Sequence, residues 1–187
     1  MSAFFFSDLI NTGWDKPGSQ DKQTALLQGE ILVETRSHNA WGGCVSAKMY
    51  LPLVRSQVWQ HITDYPRWVQ YFPDITKSEI IHKGDVKRLY QAAQKAFMFF
   101  TAKVDIYLNV VEDFGHKIQF KLDKGTFHDF SADINLQDCG SGTLLTYSVQ
   151  ATPIIPIPSA FIQQAMNFEL PANMRKMRQV ICKGIQK

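Results

Sequence analysis

The chain of 187 residues is poor in the patterns that announce catalysis or a metal centre. Its three cysteines, Cys44, Cys139 and Cys182, are odd in number and never in CxxC spacing, which argues against a disulfide framework and against a thiolate zinc site. A reducing compartment is the default setting for such a chain. The five histidines, His38, His61, His82, His116 and His128, never fall in HxxxH or HExxH spacing, so no metal ligand set is expected. No GxSxG nucleophile elbow occurs, and Cys139-Gly140-Ser141-Gly142 has the composition of a turn. Glycine-rich phosphate cradles are missing too, and no cofactor is expected.

Three further shortages bound the class. No apolar run approaches the ~20 residues that a membrane-spanning helix needs. No basic residue precedes Phe4, Phe5 and Phe6, so the start is a poor secretory signal and the chain reads as cytoplasmic, with transient contact between these aromatics and a membrane surface as a side reading. The formal charge is only +3, with Lys and Arg scattered among Asp and Glu, which argues against nucleic acid as a partner.

What is present suits one globular domain: 45% hydrophobic and 20% charged residues. Residues 1–24 end in a stretch mixing Gly, Pro, Ser, Asn and Asp with charge, and are expected to form a flexible arm before a folded domain at 25–187. Leu27 to Thr35 and Cys44 to Leu53 read as strands around a Gly42-Gly43 turn. Val54, Val58 and Ile62, with Trp59 beside them, have helical spacing, and Pro66 disfavours the α conformation at Tyr65. A second short helical turn carries Trp68, Val69 and Phe72 before Pro73 stops it.

Beyond this helix pair the period changes from 3.6 to 2. Met98, Phe100, Ala102, Val104, Ile106, Leu108 and Val110 alternate with wetter residues, and thirteen residues at about 3.3 Å each make a strand so long that it should bend or carry a bulge. The alternation recurs in Ile118, Phe120 and Leu122, in Phe130, Ala132, Ile134 and Leu136, and in Leu145, Tyr147, Val149 and Ala151. Gly115, Lys124-Gly125 and Cys139 to Gly142 supply hairpin punctuation. With Ser78 to His82 and Lys87 to Ala93, a meander of about six strands follows the helix pair. A Pro-rich link, Thr152 to Ser159, then delivers a helix reaching about Ile185, striped by Ile162, Met166, Leu170, Met174, Met177 and Ile181, with a kink or break expected at Pro171.

These elements predict an α+β fold: a curved antiparallel sheet of six to seven strands wrapped on one long C-terminal helix, with a short helix pair after the first strand. One helix about 10 Å across cannot fill the concave side of a wide curved sheet, so large side chains or a ligand must close the remaining volume. The inward positions mix large residues (Phe100, Phe120, Phe130, Tyr147) with small ones (Ala102, Ala132, Ala151), against a methionine-rich stripe that adapts to irregular contents. At any single position plain packing is the simpler account; the set as a whole favours binding.

The expected lining is Trp68, Phe72, Arg88, Tyr90, Phe100, Ala102, Phe120, His128, Phe130, Tyr147, Ile162, Met166, Glu169, Leu170 and Asn173. Within it Arg88, Tyr90, His128, Tyr147, Glu169 and Asn173 are the polar groups expected to point inward and orient a ligand carbonyl or hydroxyl. Tyr65, Trp68, Tyr71 and Phe72 either gate the mouth or pack the helix pair.

The stretches LPLVRSQVWQHITDYPRWVQYFPDI and GTLLTYSVQATPIIPIP resemble the first helix pair and the last strand of the START-related (SRPBCC) lipid-transfer and polyketide-cyclase superfamily, the helix-grip fold. The resemblance covers roughly residues 43 to 185 and is nearest the coenzyme Q-binding branch. It implies binding, and transport or chaperoning, of a lipid, prenylquinone or isoprenoid between sheet and helix, as a carrier more than as an enzyme. A second implied reading is a polyketide aromatase or cyclase, with His128, Tyr147 and Glu169 as the conceivable acid-base groups. A third, from the residues alone, is an interaction module using the Tyr65 to Phe72 aromatics and Phe4 to Phe6. The oligomeric state stays open.

Overall fold

The computed structural model describes residues 19–39, 42–84, 86–96, 101–154 and 159–183, with backbone only at 19, 36–39, 95–96, 102 and 159–166. In chain order the elements are α1 (Ser19–Leu27), β1 (Leu32–Asn39), β2 (Gly42–Leu51), α2 (Arg55–Ile62), a 3-10 turn (Tyr65–Arg67), α3 (Trp68–Tyr71), β3 (Ile75–His82), β4 (Lys87–Ala96), β5 (Thr101–Asp113), β6 (Lys117–Gly125), β7 (Phe127–Cys139), β8 (Gly142–Pro153) and α4 (Ser159–Cys182). The eight strands form one antiparallel sheet in the order β1-β2-β8-β7-β6-β5-β4-β3. The first hairpin and the six-strand meander therefore close on each other through β2 and β8. Register there is continuous from Gly43 opposite Ala151 to Leu51 opposite Thr143.

Alternation decides which face is which. Val45, Ala47 and Met49 on β2, Leu145 and Tyr147 on β8, Ile134 and Leu136 on β7, Ile118 and Phe120 on β6, and Leu108 and Val110 on β5 are all buried toward the concave side. On that side lies α4, whose Leu170, Met174, Met177 and Ile181 repeat at four, three and four residues and join the same core. The helix runs unbroken through Pro171, its main sheet partner being β2.

Four expectations are corrected. The sheet has eight strands rather than six or seven. Gly42 and Gly43 belong to β2, opposite Asn39 and Ser37. The segment expected as arm contributes residues 19–24 to α1, which covers the convex face: Leu26 packs with Tyr50 and Leu144, both on the outer sides of their strands. Residues 25–27, expected in the folded domain with a strand from Leu27, complete that helix. Gly29, at φ +96, lets the chain leave it toward β1.

The long fifth strand meets its bulge on the neighbouring strand. Tyr107 pairs with Lys124 and Leu108 with Leu122, so Asp123 is the extra residue on β6. Just beyond it Gly125, at φ +151, passes so close to the Asp105 carbonyl that a side chain there has no room.

Candidate functional site

The end of the bowl under α2 and α3 is filled by aromatics, for reasons visible in the local backbone. A helix leaves its last carbonyls without partners. Where α2 stops, the Trp68 indole N–H donates to the Ile62 carbonyl at 2.9 Å, the Tyr71 hydroxyl to the His61 carbonyl at 3.1 Å, and the Thr63 hydroxyl to the Trp59 carbonyl at 2.7 Å. These bonds turn Trp68 inward. Its ring centroid lies 5.2 Å from Phe120, 5.4 Å from Phe72, 6.0 Å from Tyr65 and 6.4 Å from Tyr147. Each well-oriented pair is worth about 0.5–1.5 kcal/mol beyond the area it buries.

A polar chain ties this cluster to the sheet. The Tyr65 hydroxyl donates to Glu112 at 2.5 Å, and Lys87 donates to both Glu112 oxygens at 2.6 and 2.7 Å. Burial first, then the bond to Glu112, pushes the Tyr65 phenol far above its ordinary range, so it stays protonated. On the inward face of β3 and β4, Gln91 donates to the Ser78 hydroxyl, which donates to the Tyr65 carbonyl. Every fully buried side-chain polar atom among the described residues has a partner.

Toward the opposite end the described residues of the same inward faces are less completely buried. Along β7 Leu136, Ile134 and Ala132 are buried and Phe130 is half-buried; along β6 Ile118 and Phe120 are buried and Leu122 is half-buried. Along β5 Val110, Leu108 and Ile106 give way to half-buried Val104, and on β8 Leu145 and Tyr147 give way to half-buried Val149. Phe127 joins this group, its ring 5.6 Å from Phe130. Tyr147 stands at the border. Its hydroxyl has no hydrogen-bond partner among the described residues, and burial raises its pKa.

The predicted lining divides. Trp68, Phe72, Phe120, Tyr147 and Leu170 are buried on the concave side, Phe130 is half-buried there, and Glu169 and Asn173 are half-buried on α4. Arg88 and Tyr90 are corrected to the convex face, because Leu89 and Gln91 take the inward positions of β4. Arg88 pairs with Asp123, and the Tyr90 hydroxyl donates to Asp105 at 2.6 Å. His128 is corrected too: Phe127 pairs with Pro153 and Asp129 with Thr152, so His128 is a bulge residue, turned to solvent while Phe127 takes the apolar side. Tyr65, Trp68, Tyr71 and Phe72 are buried in the aromatic end of the core. Phe100 and Phe4 to Phe6 lie outside the described residues, as do the side chains of Ala102, Ile162 and Met166.

Ser78 and Gln91 were missed as inward polar groups; the shared parity of Leu89, Gln91 and Ala93 was the available signal. A cleft of about 760 Å3 lies elsewhere, along the outer seam of α3 and α4. Among the described residues no helix is long and apolar enough to cross a membrane.

Solved structures share this arrangement at identities that speak for fold alone. A START superfamily protein from Mycobacterium smegmatis aligns over 76% of this chain and 99% of its own, with 14% identity and a TM-score of 0.64. A STAR-related lipid transfer protein from Xanthomonas axonopodis aligns over 81% and 93%, with 16% identity and a TM-score of 0.64. The di-domain aromatase/cyclase StfQ of the steffimycin biosynthetic pathway aligns over 90% of this chain and 55% of its own, with 8% identity and a TM-score of 0.58. No curated protein matches the chain. The family model for polyketide cyclase / dehydrase and lipid transport matches residues 51–178, from the end of β2 through most of α4, and the protein therefore belongs to that family.

Proposed function

We propose that this protein binds, and carries or chaperones, a hydrophobic small molecule of lipid, prenylquinone or isoprenoid type between the sheet and α4. The observation that carries the reading is the incomplete burial of Val104, Leu122, Phe127, Phe130 and Val149, inward residues on strands that are sealed at their other ends. Apolar side chains gathered on a concave face and left half-covered are favourable ground for an apolar guest: covering ~300 Å2 of ligand surface at about 25 cal/mol per Å2 offers some 7 kcal/mol before ordering costs. Family membership supports the same class of ligand, as do the lipid-transfer name of the Xanthomonas relative and the START name of the mycobacterial one. Tyr147 supplies a hydroxyl at the border of the half-covered region, suited to a ligand carbonyl or hydroxyl.

The test is native mass spectrometry of the purified protein before and after organic extraction, followed by titration of the extracted protein with a short-chain prenylquinone while Phe127 and Phe130 resonances are followed by NMR. Co-purified lipid, or saturable shifts at those two rings, is the expected result. No adduct, with both rings unmoved by quinone and by lysophospholipid, rejects the reading.

A further inference from the structure

We propose that the cleft along the outer seam of α3 and α4 is a second binding site, for a phosphate- or carboxylate-bearing molecule. Its lining comes from two directions: His61, Arg67, Val69 and Gln70 from the helix pair, and Lys176 and Lys183 from the end of α4, over a floor formed in part by Ile181. At about 760 Å3 it falls in the size range of small-molecule sites, roughly 300–1,000 Å3. The proposal is independent of what the bowl holds, since none of the buried Trp68, Phe72 and Tyr147 lines the cleft.

The charge pattern sets the ligand class. Arg67, Lys176 and Lys183 are basic, no carboxylate is among the described residues lining the cleft, and none of the three forms a salt bridge among the described residues. Arg55, Lys77, Lys87, Arg88 and Lys117 each have an acidic partner, whereas Lys103 and Lys121 on the sheet have none among the described residues, so what sets the cleft apart is the convergence of its cations rather than their lack of partners. Like charges converging in a concavity focus a positive potential and attract an anion. Lysines near a helix C-terminus also complement its partial negative charge, which explains Lys176 and Lys183 without a ligand. That explanation does not reach Arg67, which faces them from the other wall with its guanidinium 3.4 Å from the His61 ring nitrogen. Arg67 offers the forked donor geometry that phosphate and carboxylate accept, and the apolar floor suits a ligand that is more than a bare ion.

The experiment titrates the full chain with inorganic phosphate and with monomeric dihexanoyl phosphatidate, following backbone amides at 61–73 and 176–183 by NMR. Saturable shifts at both walls are expected. Equal affinity for the two probes identifies a soluble anion as the occupant, and stronger binding of phosphatidate identifies a lipid headgroup. The double variant Lys176→Gln/Lys183→Gln removes two exposed, unpaired charges without touching the core and should weaken binding about tenfold. The pair Lys103→Gln/Lys121→Gln, exposed on the sheet, should leave it unchanged. Absence of shifts with either probe overturns the proposal, and so does equal weakening by the two double variants.

Discussion

The Tyr147 ring meets Trp68 edge-on, with centroids 6.4 Å apart and planes at 89°, and Phe72 touches the same ring at 6.0 Å. Three aromatics thus mark where the filled half of the bowl ends. Tyr147 is the one of them whose polar atom has no partner among the described residues, whereas the Trp68 N–H is satisfied by Ile62.

Removing that hydroxyl separates packing from binding. Tyr147→Phe keeps the ring contacts and deletes no described hydrogen bond, so the urea midpoint should move by less than the equivalent of about 0.5 kcal/mol. The fraction of protein that co-purifies with lipid should fall several-fold. A loss of about 2 kcal/mol or more would instead reveal a structural bond at this hydroxyl.

Stability should fall on both sides of neutrality, through different groups. Burial holds the Tyr71 phenol at about 12 against an ordinary 10.0, and Arg67 offsets part of this. The unfolded chain therefore releases this proton first as pH rises, and stability present below pH 10 drains away between pH 10 and 12. Burial, then Arg67, lowers the His61 pKa below 6.5, so the unfolded chain takes up this proton more readily and stability falls as pH drops below 6.5. Urea midpoints across pH 5 to 12 test both limbs. Tyr71→Phe should lessen the alkaline limb, the remainder belonging to Tyr65, Tyr90 and Tyr147, whose phenols are raised as well, and His61→Gln should flatten the acid one; unchanged limbs would assign the losses to other groups.

Period-two strands and the closing helix were legible because burial on one face leaves a repeating apolar mark, as in Ile134 and Leu136 or Met174 and Met177. Bulges leave none. A single extra residue at His128 reverses the face of everything on one side of it, and the composition FHDF does not say which residue is extra. Arg88 and Tyr90 were misplaced for a related reason: the position between Leu89 and Ala93 is Gln91, a polar residue buried because Ser78 bonds its amide. Helix α1 was hidden because, among its described side chains, only Leu26 is buried, too little for a stripe. The cleft cations were invisible as a group, since Arg67 and Lys176 meet only when α3 packs on α4.

The bulge carries its own functional prediction. His128 is exposed and turned away from Tyr147, so His128→Ala should change neither the unfolding midpoint nor lipid retention. A drop in retention comparable to that of Tyr147→Phe would mean that the residue reaches the ligand, and would restore it as an acid-base candidate.

The sheet's curvature has a more exacting test in its glycines. Gly125 and Gly140 both have positive φ, +151 and +59, but their surroundings differ. At Gly140, in the two-residue turn between β7 and β8, an added Cβ meets nothing within 4 Å, so Gly140→Ala costs only the left-handed backbone, about 1 kcal/mol. At Gly125 the added carbon would strike the Asp105 carbonyl and lie 2.9 Å from the Ile106 Cα, both backbone atoms that cannot rotate away. Relief requires β5 and β6 to separate beside the Asp123 bulge, where Thr126 N–H also donates to the Asp105 carbonyl at 3.0 Å. Gly125→Ala should therefore cost at least about 2–3 kcal/mol and disturb Val104 and Leu122 on the half-covered face. Chemical denaturation of both variants decides it: equal costs would mean that φ alone sets the penalty and that the close approach of β5 to β6 yields without effort.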